Sequence, residues 1–223
     1  MKKLLLLGAL VASASAAAGD ANYLELALGQ LQYQVSNDSL QHSPSGDAAY
    51  LELAYSYPLS ASFDARFSVA STNRSRWGNQ TDTISAGGFS SSVDSSRESR
   101  FSNVGAAVEW HSAEVSKGFS YAARAGVTFW QDDQQYKATI TSTTNPALQS
   151  QKNVLQQRHE HDQQLTFSVG AVVQYHLDQH DSINIGLDYS TASLNAIDKD
   201  ALRSFDSFDY ELLRVLVGFR HRY

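Results

Sequence analysis

This sequence predicts an all-β fold, an antiparallel barrel of eight strands closed on itself, and three observations carry that prediction. Apolar and polar residues alternate with period two in eight separate stretches, the pattern of a strand with two unlike faces. The polar face of those stretches is crowded with glycine and alanine rather than lysine. The connections between them alternate between short and long.

The N-terminal residues stand outside the barrel. Lys2 and Lys3 precede an apolar run from Leu4 to Val11, followed by the small residues Ala14-Ser15-Ala16-Ala17-Ala18. This is the pattern of a secretory signal peptide with A-x-A-like cleavage sites. The run is shorter than the roughly 20 residues a membrane-spanning helix needs, and no later stretch approaches that length. The expected organisation is a signal peptide over 1–18 and one barrel domain over 19–223. The chain contains no cysteine, which excludes disulfides, lipid attachment through an N-terminal cysteine and cysteine-ligated metal.

In the first stretch Leu24, Leu26 and Leu28 oppose Glu25, Ala27 and Gly29. The parity is expected to slip at Leu31, Tyr33 and Val35, where a bulge or strand end would fall. The second sets Ala49, Leu51, Leu53, Tyr55 and Tyr57 against Tyr50, Glu52, Ala54 and Ser56. Pro58-Leu59-Ser60 is expected to turn the chain into Phe63, Ala65, Phe67 and Val69, which oppose Asp64, Arg66, Ser68 and Ala70. Val104, Ala106, Val108 and Trp110 follow, against Asn103, Gly105, Ala107 and Glu109. The fifth runs from Phe119 to Phe129, with Ser120, Ala122, Arg124, Gly126 and Thr128 on its polar face, and the sixth from Leu165 to Tyr175. Ile183, Ile185, Leu187 and Tyr189 oppose Asn184, Gly186, Asp188 and Ser190. The last sets Leu213, Val215, Val217 and Phe219 against Arg214, Gly218, Arg220 and Arg222.

Alternation alone does not say which face meets water, because a secreted lipocalin-like barrel would turn the same apolar face inward. Small residues at Gly29, Ala54, Gly105, Ala107, Gly126, Gly170, Gly186 and Gly218 suit a narrow lumen where eight strands converge. The polar connections near 36–46, 72–100, 132–163 and 190–207 are long, whereas those near 58–61, 111–118 and 177–182 are short. Long outside and short inside is the habit of outer-membrane barrels. Tyr57, Phe63, Trp110, Phe119, Tyr175 and Tyr189 fall near strand ends, as an interfacial aromatic girdle requires. The mean hydropathy of -0.34 is compatible with this reading, since only every second residue of such a strand is apolar. Without Lys2 and Lys3 the chain carries 15 Lys+Arg against 23 Asp+Glu, a formal charge of -8. That balance argues against a nucleic-acid partner.

With these residues in place, the chain resembles the small eight-stranded outer-membrane barrels of Gram-negative bacteria, the class of the OmpA transmembrane domain and the OmpX/Ail proteins. Its sharpest local element is the C-terminal strand, in which Gly218, Phe219 and Tyr223 match the assembly signal of such barrels while His221 and Leu216 depart from it. The resemblance implies a bacterial outer-membrane location, lipid and lipopolysaccharide as surroundings, and the barrel-assembly machinery as a partner. No peptidoglycan-binding domain is expected after Tyr223.

Four sets of residues are candidates for function. Glu25, Glu52, Asp64, Glu109 and Asp188 can face Arg66, Arg124, Arg214 and Arg220 across the lumen, and a turn centred on Leu59 would set Glu52 directly opposite Arg66. Such pairs would plug the barrel, the alternative being an ion path. In Arg158-His159-Glu160-His161-Asp162 the two imidazoles share a strand face, but without an assignable third ligand His159 and His161 are weak metal candidates. His111-Ser112 is the nearest approach to a nucleophile and base, yet neighbours on a strand point to opposite faces. The segment from Ser71 to Arg100 carries Arg74, Arg76, Trp77, Arg97 and Arg100, suited to lipopolysaccharide phosphates, with Gly87-Gly88 as a hairpin tip beyond the membrane. The expected function is a non-enzymatic surface protein, a plugged barrel displaying loops for envelope integrity or adhesion to an extracellular ligand. No cofactor is expected. A narrow channel for ions or small apolar solutes is the alternative, and a lipid A-modifying enzyme a more distant one. Ten strands would form if a segment such as Tyr136 to Thr141 entered the barrel separately.

Overall fold

The computed structural model describes residues 22–36, 45–112, 117–149, 154–195 and 207–223, with the side chains of 154–162, 194–195 and 207–208 outside the description. The segment read as a signal peptide, 1–18, lies outside the described residues. Among the described residues nine strands run in order: β1 Tyr23–Ser36, β2 Ser45–Ser60, β3 Phe63–Thr72, β4 Ser75–Ala86, β5 Phe89–His111, β6 Gly118–Thr143, β7 Val154–His176, β8 Asp181–Asn195 and β9 Ser207–Arg222. Each pairs antiparallel with its chain neighbour except that β3 passes over β4 to pair with β5, and β1 pairs with β9, so that eight strands close a ring. β4 continues the line of β3 past a break at Asn73-Arg74 and pairs with the upper half of β5.

The faces of these strands decide the solvent. Outward-facing Leu26, Leu53, Phe67, Val108, Phe119, Phe167, Ile185 and Val217 are exposed, Phe167 to 83%. Behind them Glu25, Glu52, Asp64, Arg66, Glu109, Arg124, Asp188, Arg214 and Arg220 are buried. A barrel apolar outside and charged inside inverts a water-soluble one; it is a transmembrane barrel of outer-membrane type. On β6 the outward apolar residues run from Phe119 to Phe129 before Gln131, Asp133 and Gln135 replace them. That length, at about 3.4 Å per residue and a tilt of about 40°, gives a belt about 25 Å tall, the thickness such barrels span. Tyr57, Phe63, Trp110, Phe119 and Tyr175 ring its lower, periplasmic edge beside the short turns, and Tyr189 lies toward the upper edge.

Three local expectations differ from what is found. β1 does not slip: Glu25, Ala27, Leu31, Tyr33 and Val35 all face inward along an unbroken register with β2 and β9. The surroundings reverse rather than the backbone. Below Gly29 the outside is lipid, and above it the outside is water, met by Gln30, Gln32 and Gln34, so the apolar residues move to the inner face. The first turn lies at Ala61-Ser62, after an irregularity at Pro58–Ser60, so Glu52 stands opposite Ala70 and Arg66 opposite Ser56. The stretch 132–163, read as a loop, is mostly strand in its described residues, while over 72–100 the strands continue beyond the membrane to the expected hairpin tip. β4, β5, β6 and β7 rise beyond the membrane as a four-stranded sheet turned at Gly87-Gly88, both with positive φ. Tyr136 to Thr141 belongs to this extension of β6 and adds no strand to the ring. Among the described residues β4 pairs only with β5, and above Ser168 β7 pairs only with β6. Val93, Ala138 and Ile140, flanked by Ile84, Tyr136 and Leu148, form a small apolar cluster on the rising sheet.

Candidate functional site

Inward alternation delivers two chemically distinct layers to the interior. The lower layer lies within the membrane belt and unites all nine lumen charges read from the sequence, each at most 8% exposed. Arg66 Nη2 donates to Glu52 Oε1 at 2.6 Å and to Glu25 Oε1 at 3.4 Å. Arg124 Nε lies 3.2 Å from Asp188 Oδ1 and 3.7 Å from Glu109 Oε2. Arg214 stands between Glu52, at 3.6 Å, and Asp188, at 3.9 Å. Arg220 reaches Glu109 Oε1 at 2.9 Å and Asp64 Oδ2 at 3.4 Å. Glu52 and Arg66 thus meet although they are not opposed in register, because both long side chains lean toward each other inside the lumen across the four-residue offset. The small residues make room: a Cβ on Gly170 would fall 1.9 Å from Asp188 Oδ1, so the carboxylate occupies the space that any side chain there would fill.

The upper layer is aromatic and apolar. Tyr33, Phe101 and Tyr210 meet at ring separations of 5.1–6.4 Å, Trp77 reaches Tyr210 edge-on at 6.2 Å, and Trp130 reaches Phe101 edge-on at 6.2 Å. Leu31, Val35, Leu212 and Leu216 belong to the same cluster. Edge-to-face packing of this kind adds about 0.5–1.5 kcal/mol per pair beyond burial. Arg214 bridges the layers, its guanidinium 5.7 Å from the Trp130 ring and 5.9 Å from Tyr50. The alternation of each strand contained the signal for this cap. Phe101 has the parity of Asn103 and Glu109, and Trp130 that of Arg124 and Thr128, so extending the polar face upward finds both.

At the level of the cap, opposite Phe101 in register, sits Asp132, fully buried, whose Oδ2 accepts from Gln134 Nε2 at 2.7 Å and Ser99 Oγ at 3.2 Å. Burial pushes its carboxyl up to about 7. Burial likewise pushes the Tyr33 phenol up to about 12.

At the periplasmic end a cavity of about 500 Å³ opens, lined among others by Asp64, His111, Ser120, Gln174, His176 and Arg220. His111 is the last residue of β5 and points into it, with Nε2 2.8 Å from Asp64 Oδ2. Ser112 is engaged elsewhere, its Oγ accepting from the Tyr121 amide at 3.0 Å, so the two do not form a nucleophile–base pair. His159 and His161 lie in β7, but their side chains are outside the described residues. Of the outer arginines, Arg74 is held by Asp133 at 2.6 Å, Arg76 by Glu98 at 3.1 Å, and Arg97 faces inward 5.2 Å from the Tyr136 ring. Arg100 is exposed.

No family profile and no curated protein matches the chain. Solved structures similar to it include Ail of Yersinia pestis, at 13% identity over 89% of this chain and 98% of that one, with a TM-score of 0.44. Neisserial surface protein A aligns at 9% identity over 91% and 97%, with a TM-score of 0.48. A major outer membrane protein of Thermus thermophilus aligns at 14% identity over 92% and 100%, with a TM-score of 0.49. The architecture itself is read from the closed ring, the lipid-facing belt and the charged interior: the chain is a small eight-stranded outer-membrane β-barrel.

Proposed function

We propose that this protein is a non-enzymatic surface protein in which a sealed barrel serves as a membrane anchor for the rising sheet of β4 to β7. The observation that carries this reading is the double filling of the interior. A charged layer with arginines between carboxylates lies beneath an aromatic layer, and eight strands leave room for little more than side chains. The rising sheet supports the display half, since a surface rigidly coupled to a barrel suits contact with an extracellular partner. Residues 1–18 would direct export. Gly218, Phe219 and Tyr223 would present the assembly signal, with Phe219 outward on the strand that closes the ring against β1.

Planar-bilayer recording on refolded protein tests the seal, after heat-modifiable gel migration has established that the barrel is formed. A folded barrel without discrete current agrees with the proposal. Steady discrete openings would overturn it in favour of a narrow channel running past the arginines.

A further inference from the structure

Asp64, Glu109 and His111 converge at the floor of the lumen because strand register brings them there. Asp64 of β3 stands directly opposite Glu109 of β5, and His111 follows two residues later on the same face. Their ligand atoms all lie within 4.8 Å of one another, with His111 Nε2 2.8 Å from Asp64 Oδ2 and 3.5 Å from Glu109 Oε1. Ligands bound to tetrahedral zinc at roughly 2.0–2.2 Å stand about 3.3 Å apart, so small side-chain adjustments bring all three onto one ion. The carboxylates are 4% and 1% exposed, whereas His111 borders the cavity that opens to the periplasm.

Two further observations point to an ion. The first is charge: five buried carboxylates face four buried guanidinium groups in this layer, leaving one negative charge without a formal counterpart, and an uncompensated buried charge is costly. Among the described residues Arg220 is the one arginine paired with Asp64, at 3.4 Å, whereas Glu109 also meets Arg124 at 3.7 Å and Arg66 at 4.0 Å, so the shortfall falls on Asp64. The second is Gln174, buried to 3% exposure, which lines the same cavity and carries a side-chain nitrogen with no hydrogen-bond partner. It is a donor available to a water or hydroxide on an ion at the floor.

We propose that Asp64, Glu109 and His111 bind a divalent transition-metal ion such as zinc, with the fourth coordination position open to the periplasmic cavity. Arg220 remains beside the ion-bound carboxylates, because each ionised carboxylate offers about four lone-pair sites. The ligating His111 would place its Nε2 lone pair on the metal. This assignment goes beyond the display function and is independent of whether the barrel conducts.

The test is calorimetric titration of zinc chloride into the mature, untagged barrel refolded in non-ionic detergent at pH 7.5. The expected result is one ion per barrel, with affinity at least tenfold weaker in His111→Ala. The variant His180→Ala, which removes an exposed histidine of the same cavity, is expected to bind as the parent does. Nitrogen NMR of the imidazoles in the unsubstituted protein covers the case in which His111→Ala does not fold: zinc should shift His111 Nε2. Absence of binding, binding indifferent to His111→Ala, or a zinc-induced shift confined to His176, His180 or His221 would each overturn the assignment.

Discussion

Replacing Asp132 by Asn removes a charge that forms among the buried groups beside the aromatic cap while keeping the side chain's shape. One Asp132 oxygen accepts from Gln134 and Ser99 and the other has no partner. The cationic Arg74 favours its ionised form, whereas neighbouring Asp133 opposes it. Tyr33 of β1, Tyr210 of β9 and Arg97 of β5 also face this region, and the register sets Asp162 of β7 opposite. Desolvation dominates, raising the carboxyl from 3.8 to about 7. The folded state therefore holds its proton to higher pH than the unfolded chain. The resulting stability is fully present below pH 4 and is lost as pH rises through 7. At about 1.4 kcal/mol for each tenfold change in proton affinity, that displacement sets an upper bound of about 4 kcal/mol. Asp132→Asn should thus match the parent near pH 4.5 and exceed it by roughly 2–4 kcal/mol at pH 8. Guanidinium unfolding in detergent at both pH values measures this, with Trp77 and Trp130 of the adjacent cap as fluorescence reporters. Carbon NMR of the carboxyl reads its titration directly. A midpoint near 4 for Asp132, or equal pH dependence in the two proteins, would refute the reasoning.

Breaking the charged layer should be damaging because its members share partners. Glu52→Ala strips Arg66 of its 2.6 Å partner and Arg214 of a 3.6 Å one, and an orphaned buried charge costs about 3–5 kcal/mol; the shift in guanidinium midpoint measures it. Phe101→Ala, at a fully buried ring in contact with three other aromatics, should cost about 3–5 kcal/mol. It should nevertheless leave bilayers silent, because the charged layer beneath remains. Gly29→Ala places a Cβ 1.9 Å from the Val215 carbonyl oxygen, so the β1–β9 seam must yield at a cost of about 1–3 kcal/mol. The temperature at which the folded gel band converts to the unfolded one should drop accordingly.

The ring and its contents were legible because alternation assigns each side chain to a face, and a closed barrel has only two. Alternation does not say what each face meets. For Leu24 to Leu28 the outer face meets lipid; for Leu31 to Val35 the inner face meets the aromatic cap. Only the height of the belt separates the two, so an unbroken strand imitates a slip. Register is the other quantity that alternation leaves open, and Asp64 shows why. Counting back from the Gly87-Gly88 tip, where Ala86 pairs with Phe89, an ideal hairpin would set Asp64 opposite His111. The irregularity between Trp77 and Gln80 displaces the pairing by one residue, so that Arg76 faces Glu98. The break at Asn73-Arg74 displaces it by one more, and Asp64 faces Glu109. One slip would have sent Asp64 and Glu109 to opposite faces, one into lipid. Two restore the parity while exchanging the cross-strand neighbour, which leaves Asp64, Glu109 and His111 on one face and brings the carboxylates together. A deletion that removes either irregularity alone should therefore abolish folding of the barrel, read as loss of heat-modifiable gel migration, whereas shortening the hairpin symmetrically above Gln80 and Ser95 should leave the floor of the lumen intact.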